Sequence, residues 1–92
     1  MERTIKRVQI SKQQVDASLE ILKKEIYRRL EQKGWGTLSS IHEISGIITE
    51  EYDEMKEAVI SNRPKNMRDE LYDIAVAAVF GATCIEAETI DW

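Results

Sequence analysis

Residues 50–73 read EEYDEMKEAVISNRPKNMRDELYD, and the order of acids, turn residues and acids again decides how the chain folds. The middle of the stretch, "SNRPKN" at 61–66, is a break, because Pro64 disfavours helix at the residue before it. One helix should end there and another begin just after, with Asn66 as its cap and Asp69 three residues on. A connection of about five residues between two helices implies an antiparallel hairpin.

Upstream of the break, Ser40 and Glu43 form a capping box, and Ile41, Ile44, Ile48, Met55 and Val59 supply an apolar side. This predicts a helix over about 40–61. Downstream, a helix over about 67–88 runs through "LYDIAVAAVFGATCIEA". From Ile74 to Phe80 it is apolar almost all the way round, the pattern of a helix covered on every side. A chain of 92 residues has too few helices of its own to cover it, so a second subunit is expected.

Nearer the start, Ser11 and Gln14 form another capping box, and Val15, Leu19, Leu22, Ile26 and Leu30 repeat at helical spacing. That helix, about 12–33, should stop at Gly34 in "KGWG". Residues 1–10 form an N-terminal arm with only a faint strand alternation. The expectation is all-α: a single domain over 1–92, an antiparallel bundle of three main helices with room for a short extra one, completed as a homodimer or homotetramer.

Composition narrows the function. Hydrophobic residues make up 42% and charged residues 33%, the balance of a soluble globular chain. A net charge of -4 disfavours a nucleic-acid surface, and any polyphosphate substrate would need a bridging cation. The run "IAVAAVFGA" is too short to cross a bilayer, so no membrane partner is expected. The start, "MERTIKRVQI", lacks the apolar region of a signal peptide, which points to the cytoplasm. The single cysteine, Cys84, cannot form an intrachain disulfide and should pack as a small apolar side chain.

The acids are the informative residues. On a helical wheel with Glu50 at zero, Glu54 falls near 40° and Glu51 near 100°, while Ile44, Ile47, Met55 and Ala58 fall between about 60° and 140°. Glu51 therefore leans into the apolar face and Glu54 borders it, whereas Asp53 and Lys56 project elsewhere. Glu70 and Asp73 share a side of the next helix with Ala77, Gly81 and Cys84. Taking about 1.5 Å per residue from the turn, Glu54 lies about 10 Å back, and Glu70 and Asp73 about 6 and 10 Å forward. The two acidic pairs are thus level. Four converging carboxylates repel unless protonated or neutralised, and a hard divalent cation with oxygen ligands removes that cost. One E-x-x-E is ordinarily a solvated face; two facing pairs on apolar sides are far more specific.

With "EEYDE" and "ELYD" in this relation, the chain resembles the MazG-like superfamily of all-α nucleoside triphosphate pyrophosphohydrolases. That signature, E-E-x-x-E followed by E-x-x-D, is matched by Glu50, Glu51, Glu54, Glu70 and Asp73, and the likeness extends over about 11–88, including "GWG". The resemblance implies a Mg²⁺-dependent hydrolase, with Mn²⁺ as a substitute, that cuts between the α- and β-phosphates to give a monophosphate and pyrophosphate. It implies Glu51, Glu54, Glu70 and Asp73 as metal ligands. Glu50 would be a further ligand or would orient the attacking water, which makes Glu50 and Glu51 the catalytic candidates. The same resemblance implies dimers or dimers of dimers.

Four other residues are candidates for substrate contact. Lys65 and Arg68, beside the acids, could hold phosphate oxygens, although basic residues near a helix start are as often plain surface charges. Trp35, between two glycines, could stack on a base or act as a hydrophobic plug. His42 could contact substrate or be an ordinary surface histidine. Two rivals stand beside the enzyme. A di-iron carboxylate bundle would need E-x-x-H steps, and His42 is not part of one. The other is a non-catalytic helical interaction or regulatory module.

Overall fold

The computed structural model describes residues 7–91, so the first six residues of the expected arm lie outside it. Among the described residues there are three helices and no strand: α1 (Lys12–Lys33), α2 (Ile41–Ile60) and α3 (Pro64–Glu86). None of them is long and apolar enough to cross a membrane.

The caps show why the helices start where they do. At α1, Gln14 donates its backbone N–H to Ser11 Oγ at 3.1 Å, and the Gln14 side chain accepts from Ser11 N at 2.7 Å. The helix closes at Gly34, whose φ of 96° suits a residue without a Cβ. At α2 only half of the expected box forms. Ser40 Oγ accepts from Glu43 N at 3.2 Å, but the Glu43 carboxylate accepts from the Ser39 hydroxyl at 3.0 Å rather than from the Ser40 backbone.

The third helix corrects the expected boundary. It begins at Pro64, not near 67, and Asn66 lies inside it rather than capping it. Proline fits the first helical position, where its missing N–H would lack a partner anyway and its φ is already helical. Arg63 occupies the cap in an extended conformation and makes no side-chain capping bond. The connection from α2 is therefore Ser61–Arg63 only, with Asn62 in the left-handed region at φ 53°.

The core lies between α2 and α3. Its buried apolar side chains are Ile44 and Ala58 from α2 and Val76 and Cys84 from α3, with Cys84 only 1% exposed. Gly81 allows the closest approach, since a Cβ there would meet Ile44 Cγ2 at 2.8 Å. Val59, expected on the apolar side, is 54% exposed instead. It lies one position past Ala58, so a turn of about 100° carries it off the buried stripe.

Helix α1 packs on α3 alone among the described residues and buries no residue of its own. Its stripe stays partly open, with Leu19 at 55% exposure. The radius of gyration, 16.5 Å, exceeds the roughly 13 Å of a compact domain of this length. After α3 the chain returns to the loop ahead of α2: Thr89 Oγ1 donates to Leu38 O at 3.2 Å and Asp91 N to Ser39 O at 2.6 Å.

Candidate metal centre

Pairing of α2 with α3 draws four carboxylates together. Glu51, Glu54, Glu70 and Asp73 each offer one oxygen, and these oxygens all lie within 4.8 Å of one another. Glu54 is exposed, while the other three are half-buried. The stagger follows from sequence: on each helix the two acids stand three residues apart, hence on one face.

The electrostatics is that of a place short of positive charge. Glu51 and Glu70 both have a pKa raised above the ordinary carboxyl value. For Glu51 burial is the largest cause, followed by the charges of Glu54, Asp73 and Glu70. For Glu70 burial again leads, followed by Asp73 and Glu54. Glu51 Oε2 and Glu70 Oε2 are buried without a hydrogen-bond partner. A buried carboxylate oxygen with no donor is costly, so these atoms require a proton or a cation. Four carboxylates with converging oxygens, two of which also carry a buried oxygen without a partner, fit a hard divalent ion such as Mg²⁺.

Three recesses border the cluster. A cleft of about 480 Å³ opens beside Glu54 and Glu70 and is lined also by Glu50, Asp53 and Glu57. A second, of about 470 Å³, lies by Asp73 and carries Arg28, Arg29 and Arg68. The third is a cavity of about 280 Å³ between α1 and α2, walled by Ile26, Leu30, Leu38, Ile47 and Phe80, with Glu51 and Asp73 on its rim. Residues of α1, α2 and α3 and of the loop at 34–38 all contribute to its lining.

The remaining candidates are scattered. Glu50 is exposed and lines the acidic cleft without being one of the four converging carboxylates. Arg68 faces the second cleft with its guanidinium 3.8 Å from Asp69. Lys65 is exposed on the first turn of α3 and borders none of the three recesses. His42 is exposed and makes no side-chain hydrogen bond among the described residues. Trp35 sets its ring 6.1 Å from that of Tyr27, centroid to centroid, over a groove with Leu22 and Val79, apart from the cavity at the carboxylates.

One residue at the site escaped the sequence reading. Arg29 reaches from α1 to pair with Asp73, and it lines both the arginine cleft and the apolar cavity. The signal was present: Arg29 stands seven residues after Leu22 and three after Ile26, a charge on the apolar stripe. Comparisons of the chain with protein-family models, with curated proteins and with solved structures find no match.

Proposed function

We propose that this chain is a Mg²⁺-dependent nucleoside triphosphate pyrophosphohydrolase of the MazG-like kind, acting in the cytoplasm and releasing a monophosphate and pyrophosphate. The observation that carries the reading is the convergence of Glu51, Glu54, Glu70 and Asp73 with two buried oxygens left unpaired. These four residues would hold the cation. When bound, it would neutralise polyphosphate charge and make water acidic enough to serve as a nucleophile.

The chain's own residues supply the rest. The apolar cavity beside Glu51 and Asp73 has the chemistry of a base and sugar site, with Ile47 and Phe80 among its apolar walls. Its position would leave the phosphates facing the carboxylates. Glu50, at the lip of the acidic cleft, would accept a proton from water approaching that side. Arg68 faces the cleft on the other side of Asp73, where a guanidinium fork suits phosphate oxygens. The antiparallel course of α2 and α3 keeps the acidic pairs level.

A homodimer or dimer of dimers belongs to the same proposal. Leu19, Leu71 and Ile85 are between 39% and 55% exposed in a single chain, and α1 buries nothing alone. A second copy would cover this surface and close the bundle.

The test is a panel of canonical and modified triphosphates incubated with the protein and Mg²⁺, with pyrophosphate as readout. Release from at least one is expected. None from any, with the protein folded, would overturn the reading and favour a non-catalytic helical interaction module.

A further inference from the structure

Among the described residues one ion pair joins two helices. Arg28 with Glu25, Arg29 with Glu25, Lys56 with Asp53 and Arg68 with Asp69 are all local along the chain, whereas Arg29 of α1 meets Asp73 of α3. Both side chains are about three-quarters withdrawn from solvent, at 26% and 23% exposure. Asp73 is at the same time one of the four converging carboxylates. A single carboxylate thus serves two claimants, a guanidinium on one side and the cation cluster on the other.

We propose that Arg29 is a positioning residue that holds Asp73 in the cation-free protein and yields it when a divalent ion binds, so that arginine and cation compete for one carboxylate. The inference rests on the cation site proposed above. A guanidinium left on Asp73 would put a positive charge within a few ångströms of the ion, where partial burial weakens screening. Arg29 also has another partner in reach, because its Nε lies 4.0 Å from the carboxylate of Glu25 one turn earlier. Release therefore exchanges one acid for another and does not strand a charge. Before the ion arrives, the same pair supplies one positive charge to a cluster whose oxygens would otherwise repel unopposed.

The exchange reaches beyond the site. Helix α1 has no buried residue, and the pair with Asp73 is its one salt link to α3 among the described residues. Cation binding would loosen that link and let α1 shift on the wall of the apolar cavity, which Arg29, Ile26 and Leu30 help to form.

Titrating Mn²⁺ calorimetrically into the full chain tests this directly. Arg29→Gln should bind Mn²⁺ about tenfold more tightly than wild type, because the competitor is gone, and Arg29→Lys, which keeps the charge, should return to within about threefold of wild type. Equal or weaker binding by Arg29→Gln would overturn the proposal and make Arg29 a fixed support of a ligated Asp73. Should wild type bind no Mn²⁺, the cation site itself fails, and the inference with it. A crystal structure of the wild type grown with Mn²⁺ gives a check free of folding defects. Arg29 should stand beyond hydrogen-bond reach of Asp73 there, and contact retained beside a bound ion would sink the idea.

Discussion

Among the described residues, helices α2 and α3 contribute every buried apolar side chain of the core, Ile44, Ala58, Val76 and Cys84, whereas α1, of similar length, contributes none. The same division holds for chemistry. All four converging carboxylates stand on the packed pair, and the loosely held helix pairs one arginine, Arg29, with them. Rigid packing is what a cation site demands, since several oxygens must be held together against their own repulsion. An apolar cavity wall tolerates looser support, and α1 supplies part of that wall.

The contrast breaks first at catalysis. Asp73→Asn and Glu54→Gln, each nearly isosteric, should lower pyrophosphate release by on the order of 100-fold or more, since even outer-shell losses at metal sites cost 10- to 100-fold. Neutralising the exposed Lys23 on α1 should leave the rate within about twofold, as surface changes away from a site usually do little. Turnover measured on purified, helical protein decides it, and a fully active Asp73→Asn would move the site elsewhere.

Stability gives the next largest difference. Ile44→Ala removes a buried side chain and should cost about 2–4 kcal/mol in urea denaturation. Leu19→Ala on α1 should cost about 0.5 kcal/mol or less if that face stays as open as it is in one chain. A Leu19 loss approaching that of Ile44 would mean that a second copy covers α1, and the contrast would then belong to the isolated chain only.

A smaller effect is expected at Gly81→Ala. The new methyl would stand 2.8 Å from Ile44 Cγ2, in a buried place with little room to give. Overpacking of this kind costs about 1–3 kcal/mol, offset by roughly 1 kcal/mol of better helix propensity, so a net loss of about 1 kcal/mol should appear in the denaturation midpoint. No loss would show that the seam between α2 and α3 is slacker than the contact implies.

The smallest signal is in pH. Glu51 and Glu70 have raised pKa values in the folded chain, so over the range just above the ordinary carboxyl value the folded state holds protons that the unfolded state has released. Stability of the cation-free protein should therefore fall as pH rises through that window. Glu25, lowered chiefly by its hydrogen bond to Arg28, works the other way and offsets part of this fall. Denaturation midpoints with and without millimolar Mg²⁺ test this: the decline should flatten when the ion replaces the protons. A cation-free midpoint that climbs with pH would contradict it.

The helix class was legible because three apolar repeats separated by Gly34 and Pro64 leave few other solutions. The four ligand candidates were legible for a related reason: three-residue spacing on each helix and a short turn between them bring the acids level whatever the finer packing. The start of α3 was not legible, because a proline that stops helix at the residue before it serves equally as a start at the first helical position. Arg29, by contrast, depends on where α1 docks. A wheel shows that it shares the apolar stripe, but not that the stripe lies over Asp73. Which candidate basic residue reaches the acids is a tertiary matter, and Lys65, adjacent in sequence, does not border the recesses around them.

The bonds from Thr89 and Asp91 to Leu38 and Ser39 give the far end of the chain a say in the cavity. Leu38 forms part of its wall, on the loop that joins α1 to α2. This segment works there like a guy-line on a surface some fifty residues upstream along the chain. Thr89→Val, which removes the bond to Leu38, would therefore alter the mouth of the pocket before it altered any of the four converging carboxylates.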